Sequence, residues 1–287
     1  MTPLRCLLLA LYLGLSLAAC SRIALVYSNL DWLIPWRLDS YLDLDRDQQA
    51  WLEPRLHAHL HWHCSSELPH YLDWLRSTQR IIEQPEPSAE ALDAQLIEID
   101  AAFARIGREI APTAIALLQS LDDKQVAELF ATFEKTNREA REKLLDPPLA
   151  IQIEERQERL EKRLRPWLGR LNDRQKAHIK AWAETLGEYN SLWLDNRLRL
   201  QHELRAALQA RGSPDFAARL HRLLQDRDNF YDATFRQAYT NARQATARLL
   251  SQLLVAADRE QRQHLSERLN DLRHDLGEQR CASPTAD

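Results

Sequence analysis

Four histidines at alternate positions, His57, His59, His61 and His63, run into Cys64. Imidazole and thiolate are common ligands of zinc and copper. On a helix His57 and His61 share a face at i, i+4 and Cys64 continues that stripe, while His59 and His63 form a second pair on another face. Neither pair has a third His or a carboxylate at a fixed spacing. Glu67-x-x-His70 has the form of half a di-iron bundle site, which needs a second Glu-x-x-His and two further Glu; the sequence holds no second copy. It also lacks a Gly-x-Ser-x-Gly elbow and a His-Glu-x-x-His helix, the signatures of acyl-transfer and zinc hydrolases. Asp226, Asp228 and Asp232 read as solvated or salt-bridged positions on a helix. The chemistry-bearing residues therefore point to binding and not to catalysis: no cofactor is expected, and the candidate metal set is His57, His61 and Cys64.

The elements that must position these residues are helices. Only six of 287 residues are Gly, too few for the turns of antiparallel sheets or for phosphate-cradling loops. No segment alternates with period two. Long helices fit Ser88 to Leu118, Asp122 to Leu145, Leu149 to Leu168 and Asn172 to Ala210. From Ser213-Pro214 the spacing of Phe216, Leu220, Leu223, Phe230, Phe235, Ala242, Leu249 and Leu253 predicts one further helix of about 40 residues. Pro112 and Pro166 should each kink or end a helix. The runs from Glu154 to Arg165 read as a solvent-facing surface laced with i, i+4 pairs. The expected fold is all-α: long antiparallel helices in an elongated bundle, with short N-terminal helices packed against them. The expected organisation is a leader at 1–19, an aromatic-rich segment at 20–84, a long-helix bundle at 85–276 forming one domain with it, and a disordered tail at 277–287. A net charge of −4 offers no footprint for nucleic acid.

A short pattern recurs along this frame. Leu44-Asp45-Arg46-Asp47-Gln48 is echoed by Leu121-Asp122-Asp123-Lys124-Gln125, by Leu171-Asn172-Asp173-Arg174-Gln175, and more loosely by Ala257-Asp258-Arg259-Glu260-Gln261. Asp or Asn as N-cap accepts from the N3 amide, and the N3 Gln reaches back to the N-cap amide, which is a capping box. The preceding Leu and the aliphatic residue four past each Gln (Leu52, Leu129, Ile179, Leu265) are expected to close a hydrophobic staple. The repeats also resemble the LTxxQ signature of the Spy/CpxP periplasmic chaperones, small cradle-shaped helical proteins that hold unfolded clients. Asp or Asn stands here in place of Thr.

The N-terminus resembles a lipoprotein leader. Arg5 is followed by an apolar run from Cys6 to Leu17 and by Ala18-Ala19-Cys20, with Leu17 to Cys20 similar to the bacterial lipobox. That resemblance implies acylation of Cys20 after cleavage, and Ser21 in place of Asp implies the periplasmic face of the outer membrane. Cys6 then leaves with the leader, so Cys64 and Cys281 are left in an oxidising compartment, where two thiols can pair; spacing alone does not bring them together. Tyr27 to Trp36, Tyr41 to Asp45, Trp62-His63 and Glu67 to Tyr71 resemble an uncharacterised family of Gram-negative lipoproteins, except at Cys64, where Arg is expected. Trp32, Trp36, Trp51, Trp62 and Trp74 crowd this region with Tyr27, Tyr41 and Tyr71. They read either as a dense core or as a binding surface (Trp32, Trp36, Trp51, Trp62, Tyr71, Trp74) for clients or lipid headgroups. The expected function is non-enzymatic: an anchored periplasmic protein whose partners are the membrane, through Cys20, and proteins or unfolded clients.

Overall fold

The computed structural model describes residues 26–225, 231–279 and 281. The leader, Cys20, Asp226, Asp228, Phe230 and most of the tail lie outside the described residues. The described residues form an all-α fold in the order α1 (Leu30–Leu42), α2 (Arg46–Trp62), a π-helical turn (His63–Glu67), α3 (Leu68–Ile82), α4 (Ala89–Ser120), α5 (Asp123–Leu144), α6 (Leu149–Leu168), α7 (Asp173–Thr185), α8 (Tyr189–Gln209), α9 (Phe216–Gln225), α10 (Ala233–Val255) and α11 (Arg259–Gly277). No helix among the described residues is long and apolar enough to cross a membrane.

The central element is α4, which packs against α2, α3, α9 and α10. Its 32 residues span about 48 Å at 1.5 Å per residue, long enough to serve two hydrophobic cores. One core gathers Leu68, Leu75, Leu92, Ile179, Leu253 and Leu269 from α3, α4, α7, α10 and α11. The other gathers Leu52, Leu117, Leu129, Phe130, Leu208 and Phe216 from α2, α4, α5, α8 and α9. Each such side chain contributes about 1.5–3 kcal/mol by leaving water.

All four capping boxes are present, at Asp45/Gln48, Asp122/Gln125, Asn172/Gln175 and Asp258/Gln261. Each also does something that its local spacing does not require. The glutamines are buried and meet in pairs, one pair in each core. Gln48 Nε2 donates to Gln125 Oε1 at 3.1 Å, and Gln125 Nε2 donates back at 2.6 Å. Gln175 and Gln261 exchange the same two bonds, both at 3.0 Å. Each amide also donates to a backbone carbonyl near its partner's helix start: Gln48 to Ser120, Gln125 to Asp43, Gln175 to Leu253 and Gln261 to Arg170. A capping motif thus becomes a clamp between two helix N-termini. The expected staple is corrected. The staple position, N4, is held by Gln49, Val126, Lys176 and Arg262. Leu52, Leu129, Ile179 and Leu265 lie almost a turn further on and are buried in the cores.

Two expected long helices are each divided. The stretch from Asn172 to Ala210 breaks between α7 and α8 at Gly187, whose φ of +46° is open to Gly at no steric cost. The stretch from Ser213 to Leu253 breaks between α9 and α10, because Asp232 is the N-cap of α10 and its side chain accepts from the Phe235 amide at 2.6 Å. Asp232 also pairs with Arg199 at 2.6 Å, so it starts a helix where the periodicity placed it within one. Pro112 does not end its helix: α4 runs through it to Ser120. Pro166 does lie near an end, with α6 closing at Leu168 and Gly169 at φ +66° as its C-cap.

The run from Glu154 to Arg165 is only partly solvent-facing. Glu155 and Arg159 pair at 3.0 Å, but Arg156 is buried. Its guanidinium donates to the carbonyls of Ala183 and Gly187 at the end of α7. A cation there complements the negative end of the helix dipole.

Candidate functional site

A cavity of about 850 Å³ lies between α3, α4 and α11, lined by Leu68, Tyr71, Trp74, Ile99, Ala102 and Leu276 among others. The π-helical turn positions its polar end. The Leu68 amide bonds the His63 carbonyl five residues back, an extra residue in the helical register that is frequent at functional sites. Cys64 and Glu67 point inward from this turn, while Ser65 and Ser66 stay exposed. Glu67, 2 % exposed, accepts both of its bonds from Arg105 Nε, at 2.9 and 3.0 Å. The bond to Glu67 holds the Arg105 guanidinium above its ordinary pKa.

His63 is bracketed by two phenols. Its Nδ1 lies 3.1 Å from Tyr27 Oη and its Nε2 lies 3.1 Å from Tyr71 Oη. Burial lowers the His63 pKa, opposed in part by the Glu67 charge. Burial, with a smaller contribution from Tyr71, pushes Tyr27 up to about 12, and Tyr71 is raised by burial and by Glu67. A neutral imidazole donates from one ring nitrogen and accepts at the other, so the Tyr–His–Tyr row is internally satisfied. On the far wall, Trp74 Nε1 donates to the Gln95 carbonyl at 3.1 Å and Thr78 Oγ1 donates to Gln95 Oε1 at 3.0 Å.

Cys64 and Cys281, 217 positions apart in sequence, are joined by a disulfide, with their Cα atoms 5.4 Å apart. The bond ties the chain just after α11 to the π-helical turn beside the cavity. The tail expected to be disordered from 277 is therefore held in part: Gly277 closes α11 and Cys281 is bonded.

The expected metal set of His57, His61 and Cys64 is corrected, because the disulfide consumes the sulfur. His59 is also engaged, by Glu109 at 3.1 Å and Thr113 at 2.8 Å. Among the described residues no group of three His, Cys, Asp or Glu comes together as a metal site. The Glu67-x-x-His70 pattern likewise dissolves, since Glu67 is spent on Arg105 and His70 is exposed.

The aromatic residues do not form one surface. Trp32 and Trp36 are 63 % and 58 % exposed and stack at 6.1 Å on the outer face of α1. Trp51 packs on the α2–α5 core beneath the Arg55 guanidinium, 4.0 Å from its ring. Trp62 is half-buried at the edge of His63, and Tyr71 and Trp74 belong to the cavity. The dense-core reading therefore holds only for some of them, and the binding-surface reading splits into an exposed pair and a cavity wall.

Sequence reasoning singled out Glu67 but missed Arg105 and the pairing of the two. The available signal was a single arginine inside the apolar stretch that runs from Ile99 to Ile106. It placed Tyr27 in the aromatic cluster and in a resemblance but not against His63, where Tyr27 lines the cavity.

These features define the class: an all-α, disulfide-tied bundle with two cores and one apolar cavity. The model of a family of unknown function, DUF6279, matches residues 40–236, and the chain belongs to that family. No curated protein and no solved structure matches it.

Proposed function

We propose that this chain is a non-enzymatic lipoprotein of the periplasm, anchored at the outer membrane through Cys20, that acts by binding other proteins or unfolded clients. The observation that carries this reading is the Cys64–Cys281 bond. Such a bond fits an oxidising compartment, as does the leader that precedes Cys20. A binding role is supported by the way the site's polar groups are spent: Glu67 on Arg105, and His63 on Tyr27 and Tyr71. The LTxxQ-like glutamines are buried as clamps, so any client contact falls elsewhere. The exposed Trp32–Trp36 pair is the best placed, because it stands 12 residues after Cys20 and Trp is enriched in protein contacts.

Two measurements test this. Cys20→Ala should move the protein from the membrane fraction, and the wild-type mature N-terminus should carry the mass of an acylated cysteine. In an aggregation assay with a denatured client, equimolar protein should suppress scattering. Trp32→Ser with Trp36→Ser should remove most of that effect, while Asp122→Ala should retain it. Absence of suppression, or equal suppression by an inert helical control, would refute the chaperone part.

A further inference from the structure

The cavity does not end at its apolar wall. Asp73 lines both it and a second, polar pocket of about 520 Å³ formed by Arg76, Gln79, Arg80, Glu83 and Arg273. The two adjoin at Asp73 and both draw on α3 and α11, with Leu272 lining the first and Arg273 the second. We propose that together they form a binding site for a single-chain phospholipid, its acyl tail in the cavity and its phosphate among Arg76, Arg80 and Arg273.

Shape, charge and position each point to this ligand. The cavity volume lies within the range of sites that enclose a drug-sized ligand, about 300–1,000 Å³. Its lining runs along α4 from Gln95 to Ile106, roughly 16 Å of helix, so it is long enough for an extended alkyl chain. Three arginines face two carboxylates in the polar pocket, Asp73 and Glu83. Arg76 is held by Asp73 at 2.5 Å and Arg273 donates to Asn270. Arg80 is exposed and makes no hydrogen bond or ion pair among the described residues. An excess of guanidinium suits phosphate, which arginine binds through paired N–H groups. Asp73 and Glu83 place negative charge within this cluster, which suits an ammonium or hydroxyl headgroup beyond the phosphate. Tyr27 lines the cavity only seven residues after Cys20. Those seven steps reach at most about 25 Å, so an anchor on Cys20 would keep the cavity within reach of a bilayer. The source of the ligand in that membrane rests on the anchored reading above; the site itself does not.

The test uses the chain from Ser21 onward, exported behind a cleavable leader so that the disulfide forms. It contains every described residue and no anchor, so a failed titration bears on the site alone. Acylation of Cys20 is read separately from the mature N-terminal mass. The probe is 1-palmitoyl lysophosphatidylglycerol, kept below its micelle concentration and followed by native mass spectrometry and tryptophan fluorescence. A one-to-one complex is expected. Ala102→Trp, which fills the cavity, should weaken it at least tenfold. Arg80→Glu with Arg273→Glu, both near the surface, should weaken it to a similar degree while leaving monopalmitoylglycerol, which has no phosphate, bound as before. Circular dichroism checks that each variant is folded, and the arginine pair keeps the test decisive if Ala102→Trp is not. Absence of a one-to-one complex overturns the proposal. Equal binding by wild type and the arginine variant overturns the phosphate assignment, because the tail alone would then account for affinity.

Discussion

Replacing Gln125 by Ala should cost several times more than replacing its capping partner Asp122. Asp122 is exposed and accepts one bond from the Gln125 amide at 2.7 Å, so Asp122→Ala removes a cap contribution of about 1 kcal/mol. Gln125 is 5 % exposed and serves three further groups: the Asp122 amide, the Asp43 carbonyl at 2.8 Å and the Gln48 amide. Its loss removes the reciprocal cap bond from the Asp122 amide, about 1 kcal/mol, and leaves the Asp43 carbonyl and the Gln48 primary amide facing a dry gap, at about 1–3 kcal/mol each. The sum is about 3–7 kcal/mol. At roughly 2–4 °C per kcal/mol for a domain of this size, the two variants should differ by about 4–24 °C in melting temperature. Urea titrations under non-reducing conditions measure both. The double variant Gln48→Ala/Gln125→Ala should be coupled by at least ~1 kcal/mol, since each single change already orphans the other side chain. Gln48→Ala with Gln261→Ala, in different cores, should add within about 0.5 kcal/mol. A Gln125→Ala cost no greater than that of Asp122→Ala, or an uncoupled Gln48/Gln125 cycle, would refute the clamp and leave four independent caps.

Arg156→Ala should lose about 2–4 kcal/mol in the same titrations, because it strands the carbonyls of Ala183 and Gly187, and Arg156→Lys should recover only part of that. Cys281→Ser opens a loop spanning a sequence separation of 217 and should destabilise by about 5 kcal/mol on the chain-entropy scale; equal denaturation midpoints for wild type with and without reductant would contradict it. His63 has its folded pKa lowered by burial, so the unfolded chain binds the proton more readily. Its contribution is therefore complete above the unfolded value of about 6.5 and is lost as pH falls through that value toward the folded one. Melting temperature should drop less between pH 7 and pH 5 in His63→Gln than in wild type, and identical profiles would rule this out.

The all-α class and the four helix starts were legible because they are local. Asp45, Asp122, Asn172 and Asp258 each precede a Gln by three positions, and an N-cap needs only its own first turn to be satisfied. Local signals misled where two of them competed. The apolar period across Phe216 to Leu253 continues through Asp232, and it took the fold to decide whether that residue begins a helix or decorates one. The same holds at Gly187, where tolerance of a left-handed turn became an actual break as α7 packs on α6 and α10 while α8 turns toward α5 and α9. Pairing lay beyond the sequence altogether. Gln48 meets Gln125 across 77 residues, Gln175 meets Gln261 across 86 and Cys64 meets Cys281 across 217, and spacing carries no information on which distant side chains share a buried space. Glu67 and Arg105 show the same division: the spacing sets Glu67 three residues before His70 and Arg105 in another helix, with nothing that pairs them. Only the closing of α3 onto α4 takes Glu67 from water, and a buried carboxylate must then find a cation, here the partly exposed Arg105.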